Sequence, residues 1–184
     1  MTASSSASHK GAQMNLPQVS GAASTAPADI QHLSFRVRQA RYALPIDLVR
    51  EIIEYGQITS VPMMPACIHG VINLRGNVVP VLDLAARFGM ERTLPSKRTC
   101  IVIIELELNE SLQRIGLVVD AVDAVLDIQA ADVEPAPAFG AGIRTEFIAG
   151  MARDERGFTI ILDVRKVLSL DDILQISQAM AQAS

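Results

Sequence analysis

The chain has 184 residues, of which 49% are hydrophobic but only 4% aromatic, and its formal net charge is −4. This length suffices for one ordinary domain or for two small domains that share a core. A core of branched aliphatic side chains favours β structure, because such side chains fit a pleated, half-buried surface. The acidic balance argues against nucleic acid and anionic membranes as partners, since both require a basic face.

Three features bear on where the protein works: its N-terminus, its hydrophobic runs and its cysteines. Residues 1–31 are rich in Ser, Ala, Gly, Gln and Pro without a hydrophobic period, which predicts a disordered tail. We find no charged-then-apolar signal segment and no run near the roughly 20 apolar residues of a membrane helix. Cys67 and Cys100 lack metal-ligand or redox spacing, so we expect buried free thiols. We therefore predict a cytoplasmic protein without direct membrane insertion.

The first predicted elements are a hairpin and a helix. Phe35 and Val37 alternate with arginines, as in a half-buried strand, and residues 42–44 form the return strand. Pro45 is suited to the first helical position, and Gly56 would end that helix. Three apolar residues share one face at helical spacing: Ile46, Val49 and Ile53.

The next segment predicts a tight hairpin and a capped helix. Residues 70–82 form two apolar strands around the turn 75–77, where Gly and Asn supply the positive φ values that such a turn requires. Asp83 is an N-cap candidate for a short helix through Phe88. A polar loop follows at 89–98.

The second half of the chain repeats this kind of pattern. Its predicted strand segments are 101–108, 114–120, 121–128, 146–153 and 158–162. Residues 129–144 carry prolines and glycines and predict a long surface connection, and Asp163 opens a further short helix. A terminal helix within 171–184 would pack three apolar residues on one side: Ile173, Ile176 and Met180.

Comparison of the two halves reveals an internal repeat. Two motifs recur 80 residues apart: I-x-G-V at 68–71 as I-x-G-M at 148–151, and V-L-D-L at 81–84 as I-L-D-V at 161–164. Upstream, residues 44–49 resemble 117–122 less closely. A unit of about five short strands is the scale of a small closed barrel. We predict a mainly β fold of two such barrels related by a pseudo-two-fold, with a groove between them suited to binding.

Signatures of catalysis are absent from the sequence. There is no Gly-rich phosphate loop, H-x-x-x-H, C-x-x-C or nucleophile elbow. The histidines His9, His32 and His69 are far apart, and the acidic residues of 120–127 fit a solvated strand face. We predict no catalytic residue, no metal and no cofactor.

At the first hairpin the sequence resembles a known family. Residues 68–84 read I-H-G-V-I-N-L-R-G-N-V-V-P-V-L-D-L, which is similar to the signature I-x-G-x-x-N-L-R-G-x-x-x-P-x-x-D-L of the CheW-like chemotaxis coupling proteins. Four further runs resemble that family: 35–52, 115–122, 134–137 and 147–150. The similarity covers about residues 32–170.

The resemblance implies two interlocked SH3-like five-stranded barrels with a boundary near 89–98. It also implies a non-catalytic adaptor that couples methyl-accepting chemotaxis receptors to the regulatory domain of the histidine kinase CheA at membrane receptor arrays. Two alternatives remain at this point. One is a β-barrel binding module of another signalling complex, and the other is a nucleic-acid-binding barrel, which would need a basic, aromatic strand face.

The resemblance also assigns candidate site residues. Receptor contact is implied for Val49, Asn73, Leu74, Arg75, Ile101, Val122 and Val125. A kinase or coupling surface is implied for Glu51, His69 and Gly70. Val49 also fits a core position, and Gly70 and Gly76 also fit purely backbone roles. His69 departs from the family pattern, in which lysine is common.

Overall fold

The computed structural model describes residues 30–136, 143–169, 171, 172, 174–176 and 178. Residues 1–29 of the predicted tail, residues 137–142 of the predicted loop 129–144, and the predicted packing of Ile173 and Met180 lie outside these residues. Ile30 and Gln31, predicted as the end of the tail, belong to a strand. The strands are β1 (Ile30–Val37), β2 (Ala40–Pro45), β3 (Val49–Glu54), β4 (Ile68–Leu74), β5 (Asn77–Asp83), β6 (Cys100–Leu108), β7 (Ser111–Val119), β8 (Ala121–Ile128), β9 (Val133–Glu134), β10 (Ile148–Asp154) and β11 (Gly157–Leu162). The short helices are α1 (Leu84–Arg87) and α2 (Val164–Val167).

The strands form two sheets that exchange hairpins. Sheet one has the order β3-β6-β7-β5-β4, and sheet two has the order β8-β1-β2-β11-β10-β9. The N-terminal hairpin β1–β2 thus lies in sheet two, whereas the hairpin β6–β7 from the second half lies in sheet one. The fold is mainly β and its halves are interlocked, as predicted. The loop 89–98 separates the two halves of the chain, but the sheets do not divide there.

The register of the sheets reproduces the sequence repeat. In sheet one, Val81 of β5 lies opposite Gly116 of β7 in a parallel pair. In sheet two, Ile161 of β11 lies opposite Ala43 of β2, also in parallel. Val81 and Ile161 are 80 positions apart in the chain. Gly116 and Ala43 are 73 positions apart, which is also the offset between the similar segments 44–49 and 117–122. The weaker sequence resemblance is therefore a structural equivalence.

Sheet two has six strands rather than the five predicted, because β9 pairs with β10. In sheet one, the place of β9 is taken by a single bridge, in which the Thr59 and Val71 N–H groups each donate to the other's carbonyl at 2.8 Å. Strands β3 and β4 are the two edges of sheet one. The bridge connects β4 to the segment that follows β3. Sheet one is therefore rolled so that its two edges approach each other. That each sheet forms a fully closed barrel remains a prediction.

The predicted helix between Pro45 and Gly56 is wrong. Ile46–Leu48 forms one 3-10 turn, and Val49–Glu54 is strand β3, with Val49 opposite Ile104 of β6. The apolar residues fit either period over so short a segment, and they are β-branched, which suits a strand. Pairing with β6, a long-range contact, decides between the two.

The two sheets share one core. Phe88, which follows α1, lies 5.1 Å from Tyr42 of β2 and 6.0 Å from Phe147, measured between ring centroids. All three belong to the largest buried cluster, which also contains Val102 and Leu117 of sheet one. Because one cluster contacts both sheets, they pack as a single unit.

Several local predictions are confirmed. The Asp83 carboxylate accepts hydrogen bonds from the Ala85 and Ala86 N–H groups and begins α1, and Asp163 accepts from the Lys166 N–H and begins α2. Both cysteines are free thiols. Cys67 is buried as expected, whereas Cys100 is partly exposed.

Candidate binding surface on sheet one

The tip of the β4–β5 hairpin displays Arg75. Arg75 and Gly76 have φ values of +53° and +86°, which fit the two-residue turn of a tight hairpin. The Gly76 N–H donates to the Asn73 side-chain oxygen at 2.9 Å, so Asn73 stabilises the turn. The Arg75 side chain is 75% exposed. The turn thus holds a cation at a defined place in the solvent.

Arg75 forms a two-point ion pair across the edges of sheet one. Its Nη1 and Nη2 donate to Glu51 Oε1 and Oε2 at 2.9 and 3.1 Å. Glu51 lies on β3, the opposite edge of the sheet from β4. A pair this exposed adds little stability, but a bidentate geometry fixes the direction of the guanidinium group. Glu51 therefore positions Arg75.

His69 makes a second link between the same edges. The Tyr55 hydroxyl, just after β3, lies 2.9 Å from His69 Nε2 on β4. Burial, followed by the charge of Asp83, raises the pKa of Tyr55. His69 Nδ1 is buried 3.6 Å from Asp83 Oδ2 and has no hydrogen-bond partner among the described residues. His69 is thus held within the rolled sheet.

Gly70 serves the backbone and offers no side chain to a partner. It is buried with φ +148°, and a Cβ there would lie 2.2 Å from the Thr59 carbonyl oxygen. Only glycine allows β4 to approach Thr59 this closely. Gly70 therefore shapes the edge of the sheet, and its coupling role stays a prediction.

Ile101 does not reach the surface, which corrects its predicted role in receptor contact. It is 1% exposed and packs inside sheet one against the buried residues Ile72, Val79, Val81, Ile103 and Val118. Its burial comes from these facing side chains on the inner side of the rolled sheet. No partner can touch this side chain in the folded protein.

The other predicted contact residues fall into two groups. Val49 and Leu74 are half-buried on sheet one, beside the Glu51–Arg75 pair in the chain. Val122 and Val125 lie on β8 of sheet two, and Val125 is 50% exposed. Val49 and Val122 pack partly against the shared core, as a core position would. The sequence thus grouped residues that belong to two sheets.

The structure adds a charged cluster that the sequence analysis missed. Glu105 of β6 accepts hydrogen bonds from Arg114 of β7 at 2.9 Å, and pairs with Arg50 of β3 at 2.5 Å. The hydrogen bond from Arg114 chiefly holds the pKa of Glu105 below its ordinary value. These residues are distant in sequence and meet only through strand pairing.

The described residues contain neither a metal-binding cluster nor a membrane-spanning helix. No group of three or more His, Cys, Asp or Glu side chains in that part of the chain is arranged to hold a metal ion. Within the same residues, no helix has the length and apolar character needed to cross a membrane.

Two interlocked sheets, a shared core and a rigid charged hairpin tip define a binding scaffold. The family description that matches this chain is the CheW-like domain, over residues 31–172. The chemotaxis protein CheW of Klebsiella aerogenes is 32% identical over 143 residues, 78% of this chain and 84% of that protein. The chemotaxis protein CheW of Rhizobium meliloti is 31% identical over 140 residues, 76% of this chain and 88% of that protein.

A solved structure agrees with these relatives. The scaffolding protein TtCheW from Thermoanaerobacter tengcongensis superposes with a TM-score of 0.69 at 34% identity, and the match covers 79% of this chain and 92% of that one. The chain therefore belongs to the CheW-like family. The resemblance inferred from the first hairpin is confirmed, together with the mainly β fold it implied.

Proposed function

We propose that this chain is a non-catalytic adaptor that couples methyl-accepting chemotaxis receptors to the histidine kinase CheA. The match of residues 31–172 to the CheW-like domain carries this proposal. The exposed Asn73-Leu74-Arg75-Gly76 tip supports it, because a rigid cation at the end of a hairpin suits recognition of a partner. The work is done in the cytoplasm, at arrays of membrane receptors.

An adaptor acts by holding its partners in a defined geometry. Individual contacts of micromolar strength, about −8 kcal/mol each, suffice where many copies assemble. Control of the kinase requires different contacts in the signalling states of the receptor, because an adaptor with equal affinity for both states shifts neither. The ties between the edges of sheet one keep the contact surface rigid, so a change in the receptor is passed on rather than absorbed.

We assign the receptor surface to side chains that reach solvent or the edge of the core. These are Val49, Asn73, Leu74 and Arg75 on sheet one and Val122 and Val125 on sheet two. Apolar edges of this kind suit the face of a helix, with Arg75 fixing its register. Glu51 and His69 act by positioning, and Gly70 acts through the shape of β4.

The first test separates contact by Arg75 from mere positioning. Arg75→Glu is expected to lower affinity for the receptor tip or the CheA regulatory domain about tenfold, or about 1.4 kcal/mol. The double variant Glu51→Arg/Arg75→Glu restores an ion pair with reversed direction. If Arg75 contacts a partner, the double variant stays defective, whereas full recovery would reduce Arg75 to a structural role.

A matched control lies on the other hairpin. Arg156 is exposed at the β10–β11 turn of sheet two, next to Gly157, and Arg156→Glu should leave affinity unchanged. Binding is measured by calorimetry with purified kinase domain and receptor fragment, and folding by thermal melting. Absence of any complex at high micromolar concentration, without nucleotide or metal, would refute the adaptor function.

A further inference from the structure

Equivalent places in the two sheets hold side chains of different size. In sheet one, the rings of Tyr55 and His69 meet edge-on with their centroids 5.8 Å apart, and the Tyr55 hydroxyl lies 2.9 Å from Nε2. The strand register places Ile128 at the position of Tyr55, 73 residues later, and Ala149 at the position of His69, 80 residues later. Two aliphatic side chains thus stand in sheet two where two rings stand in sheet one.

The smaller side chains leave an apolar pocket at this place in sheet two. It has a volume of about 360 Å³, which lies in the range of sites for small molecules. Gly150 of β10 fixes one wall, because a Cβ there would lie 2.5 Å from Cγ1 of Val133. The close approach of β9 to β10 therefore builds that side of the pocket. The aliphatic lining residues are Ile30, Ile128, Ala130, Val133, Ala149 and Ile161.

His32 is the one polar side chain among the described residues that line this pocket, and it is 6% exposed. Its Nδ1 lies 2.9 Å from the Ile30 carbonyl oxygen. A carbonyl only accepts hydrogen bonds, so Nδ1 is the donor, and in the neutral ring Nε2 keeps its lone pair. Within the described part of the chain Nε2 has no hydrogen-bond partner, and unlike Nδ1 of His69 it is not sealed from solvent. His32 therefore offers one hydrogen-bond acceptor to the pocket.

We propose that this pocket binds a small aromatic molecule that carries one N–H or O–H donor, of the indole or phenol class. The ring lies between the aliphatic walls, and its donor hydrogen-bonds to Nε2 of His32. Sheet one shows the same combination within the protein itself, because there an aromatic ring with one hydroxyl meets the Nε2 atom of a histidine. Apolar walls with one fixed polar group select a ligand by shape and by its donor. The inference is independent of the proposed partners.

Two ligands that differ only at the donor test the hydrogen bond. Indole carries a ring N–H, and 1-methylindole has the same ring system with a methyl group in place of that hydrogen. The full-length chain contains no Trp, so the fluorescence of bound indole is measured without a protein background from that residue. Indole is expected to bind about tenfold more tightly than 1-methylindole. Equal affinities, or no saturable binding of indole, would overturn the proposal.

His32→Phe separates the hydrogen bond from the fit of the methyl group. The substitution removes the acceptor and keeps a ring of similar size, and thermal melting shows whether the variant is folded. Its preference for indole over 1-methylindole should disappear, because neither ligand then finds an acceptor. A preference that persists in this variant would mean that shape alone excludes the methyl group, and the assignment of His32 would be wrong.

Ala149→His tests the location of the site by placing the side chain of sheet one in the pocket of sheet two. Ala149 is exposed, so the histidine can enter the pocket without disturbing the core, and indole should bind at least about tenfold more weakly. Ala131→His is the matched control, because Ala131 is exposed in the neighbouring 3-10 turn and does not line the pocket. Unchanged binding in Ala149→His, or an equal loss in both variants, would overturn the proposal.

Competition distinguishes a small molecule from a protein side chain as the occupant. Addition of the purified kinase domain or of the receptor fragment should leave bound indole in place. Displacement of indole by either protein would show that the pocket receives a side chain of a protein partner. That result would overturn the assignment to a small molecule while leaving the proposed adaptor function intact.

Discussion

The two sheets carry a cluster of three charged side chains at structurally equivalent positions. At two of the three positions, a side chain of opposite charge stands in the other sheet. In sheet one, Glu105 of β6 lies between Arg50 of β3 and Arg114 of β7. Arg50 is the extra residue of a bulge that follows Val49. The side chain of Glu105 is 9% exposed, so the acid is the enclosed member and the two arginines reach solvent.

In sheet two, Asp123 is the extra residue of the equivalent bulge after Val122. It pairs with Arg36 of β1 at 3.2 Å and with Arg41 of β2 at 3.9 Å. The acid has moved to the edge strand, and Arg41 is now the enclosed member at 9% exposure. Arg41 also pairs with Asp154 at 3.0 Å.

At the three equivalent positions each sheet keeps two arginines and one acid in a different order, and sheet two adds Asp154 as a second acid. Both sheets therefore place an ion pair across the bulge, but a different strand supplies the acid in each. This exchange also hides the repeat, because equivalent positions carry opposite charges in the sequence. The repeat is visible where both halves keep the same or a similar residue, as at Asp83 and Asp163.

The two helix caps differ most in burial, and the largest stability effect is expected there. Asp83 is fully buried and accepts hydrogen bonds from the N–H groups of Ala85, Ala86 and Thr93 and from the Thr93 hydroxyl. Asp83→Ala is expected to cost about 3 to 5 kcal/mol of unfolding free energy, since it leaves these donors unsatisfied. Urea denaturation measures the loss.

Asp163 is the matched control for Asp83. Its carboxylate accepts one hydrogen bond, from the Lys166 N–H at 3.4 Å, and the residue is partly exposed. Asp163→Ala should cost about 1 kcal/mol, the ordinary value of an N-cap. Equal losses for the two variants would show that burial does not distinguish the caps.

The exchange of signs between the clusters predicts a rescue. Asp123→Arg places three arginines together and should cost about 1 kcal/mol of unfolding free energy. The double variant Asp123→Arg/Arg36→Glu reproduces the arrangement of sheet one and should recover most of that loss. A double-mutant cycle by urea denaturation measures the coupling.

Arg153 supplies the control for this rescue. It lies over the Phe158 ring at 5.2 Å, away from the three clustered positions. Asp123→Arg combined with Arg153→Glu restores the net charge of the chain but not the ion pair. It should therefore recover only the small part of the unfolding free energy that depends on net charge. If both doubles recover equally, the cluster geometry is irrelevant and only the total charge matters.

Local signals predicted the parts of this fold that depend on one stretch of chain. Gly76 predicted the hairpin turn and Asp83 the capped helix, because each acts on its immediate neighbours. The segment after Pro45 was misread as a helix, since its apolar residues fit two periods and only β6 decides between them. The exchange of hairpins is likewise a long-range property that no local pattern reports.

The candidate site was predicted in the same uneven way. The resemblance to a family supplied Arg75 and Glu51, but not their ion pair, which arises because the sheet rolls. It also assigned Ile101 to receptor contact, although that side chain is buried inside sheet one. Resemblance transfers residue positions, whereas exposure depends on the sheet in which each residue lies.

The smallest predicted effect concerns the response of the sheet-one cluster to pH. The hydrogen bond from Arg114, together with Arg50, lowers the pKa of Glu105 from its ordinary 4.5. The unfolded chain therefore binds this proton at a higher pH than the folded protein does. The stabilisation is fully present above the unfolded pKa and is lost as the pH falls through the folded pKa.

Glu105→Gln removes this titration while keeping the shape of the side chain. The difference in unfolding free energy between the unsubstituted protein and this variant should be constant near neutral pH and shrink at acid pH, as urea denaturation at a series of pH values would show. A difference that stays the same into the acid range would mean that Arg114 does not favour the ionised form of Glu105. The cluster would then act through packing, and the order of its charges could be exchanged between the sheets without any electrostatic requirement.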